Sequence, residues 1–390
     1  MRLLTASLFA LGLALPAHAQ NCGGDWGTFI NGLKSEAMQR GHSQATVDAF
    51  FSGAQQSAAV LKADRAQGVF QKDFIDFSKM LISKNRIQAG AQKWQQYRST
   101  FDRIQAQYGI NPGVLLAFWA FETDYGGYQG DFNTRNALVT LAHDCRRPDL
   151  FRPQVLSAIR LFENGDFDPQ STTGAWAGEI GMVQMLPGDI LENGVDGDGD
   201  GHVRLKTSAP DALMSGARML SSLGWRANEP WLQEITVPQD MDWSQTGLLT
   251  RKTAAEWQAM GVQARSGALL RPDLPSSIIL PMGRKGPAFL AYPNFNVYFE
   301  WNQSFTYVLT AAYFGTRLEG APAYAAGNPE PGLSGPQIKQ LQQKLQARGY
   351  DVGGADGILG EKSREAVQDA QKRLGLPADA WPTPALLNQL

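Results

Sequence analysis

The stretch Ala117–Gly130, AFWAFETDYGGYQG, sets one carboxylate, Glu122, among Phe118, Trp119 and Phe121, and follows it with Gly126-Gly127. Upstream, Asn111-Pro112 reads as a helix start, with Asn as cap and Pro in the first turn. The glycine pair reads as the stop. Between them the residues are apolar on nearly every side, which predicts a buried helix. At the helical period, Leu115 and Phe118 share the face of Glu122, whereas Asp124 points away. Burial disfavours a carboxylate and raises its pKa, here toward ~6 from a reference of about 4.3. A carboxyl still protonated near neutrality is what a general acid requires. The plainer alternative is a helix-end Glu that reaches solvent or pairs with an arginine.

The surrounding chain has 390 residues, 43% hydrophobic and 18% charged, with a formal net charge of −2. That length predicts two or three domains. The charge balance offers no basic field for nucleic acid. The first nineteen residues combine Arg2, an apolar run from Leu3 to Leu15 and Ala17-His18-Ala19, the pattern of a secretory signal cut after Ala19. No later stretch has the length of a membrane span. The expectation is a soluble, exported, periplasmic protein. Its two cysteines, Cys22 and Cys145, are expected to pair in an oxidising compartment, the alternative being two buried thiols. With no CxxC and no Cys/His cluster, zinc is not expected.

The region from Asn21 to about Tyr108 reads as helices, with Ser43 as a cap and Gly53 as a stop. Between Trp231 and Tyr298, the runs ITVP, SSIILPM and FLAYPNFNVYF predict a small β-rich subdomain. A helical pattern returns at Trp301–Phe314. Residues 319–332, rich in Pro, Ala and Gly, read as a linker. Residues 333–390 read as a compact unit with helices near Ile338–Arg348 and Lys362–Leu374 around a Gly-rich loop. Such a unit is marginal alone.

A second stretch, AWAGEIGMVQMLPGDI (Ala175–Ile190), is rich in small residues and predicts backbone packed close to a ligand. Together, FETDYGGYQG and WAGEIGMVQMLP resemble the lytic transglycosylase B family, which cleaves peptidoglycan. The resemblance extends over most of Trp26–Arg317, including EWNQSFTYVL. It implies a mainly α fold: a lysozyme-like α core over residues 20–318, with a helical N-terminal region and a small β-rich subdomain. It also implies one catalytic residue, Glu122. Gln184, Arg146, Arg147, Trp176 and Trp301 match positions lining the substrate groove, and Asn302, Ser304 and Tyr307 match an Asn-x-Ser-x-x-Tyr pattern behind it. The chain departs from the family at Ala175, where a Ser hydroxyl is lost, and at Trp301, which keeps a stacking surface where the family often has Tyr. Without the resemblance, each of these residues reads as structural. The C-terminal unit, through LQQKLQARGY and ADGILGEKSREAVQDAQKRLGL, resembles a peptidoglycan-binding domain of the three-helix type. Its seven basic and six acidic residues from Lys339 onward imply recognition by shape and hydrogen bonds.

VDGDGDGHVRL places Asp196, Asp198, Asp200, Gly201 and Val203 at positions 1, 3, 5, 6 and 8 of an EF-hand loop. His202 at position 7 would offer its carbonyl. Thr207 stands where the usual Glu is expected, and the family resemblance implies closure by Asp211 instead. The expected ion is calcium; the alternative is a Gly-Asp turn with none. There is no G-x-S-x-G, Walker A or H-E-x-x-H sequence.

These readings converge on a non-hydrolytic peptidoglycan lyase. A hydrolytic glycosidase normally needs two carboxylates. In the expected reaction Glu122 protonates the oxygen between N-acetylmuramic acid and N-acetylglucosamine, then takes the proton of the muramyl C6 hydroxyl as it attacks C1. The expected partners are glycan strands and the sacculus. The rivals are a hydrolytic muramidase using Asp124, Asp131 or Glu179, and a non-catalytic wall-binding scaffold.

Overall fold

The computed structural model describes residues 22–66 and 72–390. The expected signal segment, residues 1–19, lies outside the described residues. Among the described residues the fold is mainly helical, with one short two-stranded ladder and one five-stranded antiparallel sheet. No helix among the described residues is long and apolar enough to cross a membrane.

The centre is the helix Pro112–Thr123. Nine of its twelve residues are buried, which explains why its sequence shows no polar face. It packs along the helix Phe305–Leu318, itself buried from Phe305 through Gly315. Phe118 is fully enclosed, and its ring lies 4.4 Å from that of Trp301. Truncating Phe118 to Ala would cost about 3–5 kcal/mol through the cavity left behind. The helix stops short of the glycine pair. Its cap is Asp124, and both Asp124 (φ 50°) and Tyr125 (φ 59°) are left-handed. Two consecutive non-glycine residues in that region cost about 1–2 kcal/mol each. Two backbone amides hold the reversal: Tyr125 N–H donates to Trp119 O, and Gly126 N–H donates to Thr123 Oγ1.

A second core joins the N-terminal helices to Thr134–His143 and Pro148–Asn164. The Cys22–Cys145 disulfide ties the start of the described chain to the turn that carries Arg146 and Arg147. The β-rich subdomain has its own core around Trp257, Leu290 and Tyr292. Its strands run in the order Lys252–Thr253, Pro275–Ile279, Phe289–Ala291, Leu232–Thr236, Gln263–Ala264. The run FLAYPNFNVYF does not form one extended segment. Phe289–Ala291 is a strand, and Phe295–Trp301 is a helix. Pro293 ends the strand and the aromatic residues beyond it pack into the main core.

The C-terminal unit has helices Gly335–Gln346, Glu361–Arg373 and Pro384–Gln389 around a small core. The segment before it behaves differently from a free tether. Tyr324 packs its ring against Phe74 and Tyr313, and its hydroxyl meets Ser78 Oγ at 2.8 Å. Ala325 N–H donates to Glu234, Asn328 N–H to Lys285 O, and Glu330 pairs with Lys285 and Arg284. Residues 322–330 are therefore a strap clipped to the body, with backbone amides bonded to fixed partners that composition does not reveal.

Candidate active site

Glu122 sits in the last turn of the central helix, while Phe118, Trp119 and Ala120 just before it remain in the core. Its side chain is only partly accessible. Trp301 Nε1 donates to Glu122 Oε1 at 3.3 Å, and the Tyr307 hydroxyl donates to the same oxygen. Loss of hydration pushes the carboxyl up from its ordinary 4.5 to about 7, against the two donors, which favour the ionised form; Glu179 nearby adds a smaller upward push. An acid belongs among Phe118, Trp119 and Phe121 because that setting, by withholding water from the carboxylate, lets a large share of it stay protonated near neutral pH. Sequence reasoning places the shift in the same direction but nearer ~6.

The second motif is held against the first by close backbone packing. A side chain at Gly130 would place its Cβ 2.1 Å from Gly174 O, and one at Gly174 would lie 2.0 Å from Glu179 O. Only glycine allows that approach. Thr123 Oγ1 donates to Met182 O at 2.7 Å, which fixes the end of the central helix on this loop. Gln184 takes a left-handed φ of 53°, and its amide donates to Gly181 O within the same turn. Ala175 N–H donates to Glu179 O.

Arg146 and Arg147 meet at a residue that sequence reasoning did not single out. Asp64, buried on the helix Ala58–Arg65, accepts from Arg146 Nη1 at 2.5 Å and from Arg147 Nη2. Arg146 also donates to Asp64 O at 2.7 Å. Despite its burial, the two guanidiniums hold the Asp64 carboxyl below its ordinary value. Arg147 lies 5.0 Å from the Phe151 ring and 5.9 Å from the Trp176 ring, so the pair and Trp176 form one patch. The partners are more than eighty residues apart in sequence, and no local pattern signals Asp64.

Asn302 and Ser304 shape the turn before the long helix. Asn302 Oδ1 accepts from Ser304 N–H, and Ser304 Oγ accepts from Tyr307 N–H as an N-cap. Among the other carboxylates, Asp124 is exposed and paired with Arg86 at 3.0 Å, and Asp131 is exposed. Glu179 is largely enclosed and burial raises its pKa.

In the acidic loop, carboxylate oxygens of Asp196, Asp198 and Asp211 converge within 4.8 Å of one another. Asp211 is fully buried and receives amides of Gly197, Asp198 and Arg204. Asp200 turns instead to Arg204, at 2.9 Å, and the His202 ring to Asp166, at 2.9 Å.

Residues 25–316 match the transglycosylase SLT domain family, and residues 334–390 match a peptidoglycan-binding domain family. Membrane-bound lytic murein transglycosylase B of Escherichia coli (strain K12) is 24% identical over 243 residues, covering 62% of this chain and 66% of that protein. The chain thus spans just under two thirds of that relative's length. The crystal structure of SltB3 from Pseudomonas aeruginosa in complex with NAG-anhNAM-pentapeptide superposes with a TM-score of 0.86 at 34% identity, covering 94% of this chain and 99% of that one. Escherichia coli Slt35 in complex with calcium has a TM-score of 0.64 at 22% identity, covering 79% and 98%, a likeness of fold. The chain belongs to the transglycosylase SLT domain family, as a lytic transglycosylase domain followed by a peptidoglycan-binding domain.

Proposed function

We propose that this chain cleaves the bond between N-acetylmuramic acid and N-acetylglucosamine in peptidoglycan without water, leaving 1,6-anhydro ends. The carrying observation is Glu122, a carboxyl held at about 7 with both its hydrogen-bond donors on Oε1. That leaves Oε2 to deliver the proton to the glycosidic oxygen. The C1–O bond breaks, the muramyl C6 hydroxyl attacks C1, and its proton passes to the ionised Glu122, which Tyr307 and Trp301 stabilise. The acid is regenerated and no water is consumed. SltB3, 34% identical to this chain, was solved in complex with NAG-anhNAM-pentapeptide, a ligand that carries the anhydro end proposed here. Mass spectrometry of muropeptides released from purified sacculi tests the reading. Products heavier by one water would overturn it, and so would no release at all.

Arg146, Arg147, Trp176, Gln184 and Trp301 are assigned to the groove, with Asn302, Ser304 and Tyr307 supporting the acid. For a cation, the residues fit: three carboxylates converge, and buried Asp211 is met by backbone amides. Oxygen donors this dense suit calcium. Asp196, Asp198 and Asp211 would hold it, with a structural role that neutralises their mutual repulsion. Slt35, which shares the fold, was solved in complex with calcium. We assign residues 20–318 to catalysis, 319–332 to the connection and 333–390 to wall binding, in a periplasmic protein whose signal is residues 1–19.

A further inference from the structure

Both donors to Glu122 flank one turn. Trp301 is the last residue of its helix, Asn302, Gln303 and Ser304 make the turn, and Tyr307 stands in the first turn of the next helix. Any shift of that turn moves both donors relative to the acid. The inner side is fixed by Asn302 and Ser304. On the outer side Gln303, Ser304 and Phe305 line a cleft whose other wall is the C-terminal domain, and the cation–ring contact across to Phe305 comes from that domain. Its Arg364 is buried, with 7% exposure, and its guanidinium lies 4.3 Å from the centroid of Phe305, the first residue of the helix that carries Tyr307. Arg364 Nη2 donates to Pro281 O at 3.1 Å, while its Nε has no hydrogen-bond partner.

The surrounding interface holds Arg364 in register. Gln368 Nε2 donates to Trp243 O and Thr246 O. Asp379 accepts from Arg284, and Trp381 joins the main core and donates to Glu330 O of the strap. Glu361 and Asp379 nearby favour the charge of Arg364, yet burial still holds its pKa below the ordinary value, so the guanidinium is a costly way to join two domains when apolar packing would serve. A cation over a desolvated ring, however, fixes the position of that ring.

We propose that Arg364 is a positioning residue for the catalytic acid: it clamps Phe305, and through it the turn that presents Trp301 and Tyr307 to Glu122. The wall-binding domain is then part of the catalytic assembly as well as an anchor. This rests on the reading of Glu122 as the acid.

The test uses full-length protein and a soluble glycan fragment, so that wall anchoring plays no part. Arg364→Met keeps the stem over Phe305 and removes the charge. It is expected to lower kcat about tenfold, as small misplacements of catalytic groups do, with KM little changed. Both donors favour the ionised acid, so loosening them moves the alkaline limb of the kcat profile to higher pH. The groups facing Glu122 are Tyr307, Trp301 and Glu179, and none is altered. Arg364→Lys should recover part of the loss. Phe305→Leu removes the ring from the other side, and the double variant should lose little more than either single one. This second variant carries the test if Arg364→Met fails to fold. Wild-type kcat and an unmoved limb in folded Arg364→Met or Phe305→Leu would overturn the proposal, as would an effect confined to KM. A wild type that releases no anhydro product would instead overturn the assignment of function.

Discussion

Replacing Glu122 with Gln separates its chemistry from its energetic cost. The amide is nearly isosteric and carries no transferable proton, so turnover should vanish. Stability should change in the opposite direction. A carboxyl at about 7 rather than 4.5 binds its proton more tightly in the folded chain than in the unfolded one. Its contribution is fully present below the unfolded value and is lost as pH rises through the folded value. At about 1.4 kcal/mol per pH unit, the wild type loses about 3 kcal/mol from this group between pH 4 and pH 8. The variant, permanently neutral, loses none of it. Urea unfolding of both proteins across that range measures the difference, with the disulfide intact. The gap between the two free energies should widen by about 3 kcal/mol and level off above the folded pKa. Parallel curves, or substantial turnover in the variant, would refute the argument that burial sets the acid.

Tyr307→Phe removes one donor to the carboxylate; kcat should fall about tenfold or more, and the alkaline limb of the pH–rate profile should move up. On metal-stripped protein, calcium at a hundredfold excess over its dissociation constant should stabilise the fold by about 2.7 kcal/mol; Asp211→Asn should abolish that rise in melting temperature, and curves indifferent to calcium and chelator would remove the ion. A chain ending at Gly320 loses the strap and the cover over Phe305 and Trp381's seat in the core, so it should melt at lower temperature and bind a hydrophobic dye. Retention of full thermal stability would show the strap to be a passive tether. That shortened chain should also lose affinity for sacculi, measured by co-sedimentation.

Much of the molecule follows from local sequence rules. A helix that is apolar all round must be buried, which located Pro112–Thr123 and made Glu122 conspicuous. Ser43 caps its helix as its side chain dictates, accepting from Thr46 N–H. The two motifs, in order, carried the family and with it the fold. What local rules misplaced is equally specific. The glycine pair suggested the helix end, but Asp124 and Tyr125 take left-handed geometry because tertiary contacts hold them there. FLAYPNFNVYF reads as one extended run because aromatic residues suit both strand and buried helix. The Pro-Ala-Gly composition of residues 319–332 predicts freedom, yet Tyr324 and Glu330 find partners on the body.

The long-range relations belong to the tertiary structure alone. Asp64 reaches Arg146 and Arg147 across more than eighty residues, and Trp301 and Tyr307 reach Glu122 across some one hundred and eighty. Sequence spacing decides what can share a helix face, because the backbone period is fixed. It is silent on which faces meet, since that is decided by packing of the whole core. The carboxyl among aromatic residues was therefore written in the sequence. Its two donors, its shift to about 7 and the arginine above its supporting turn exist only once the chain has closed on itself.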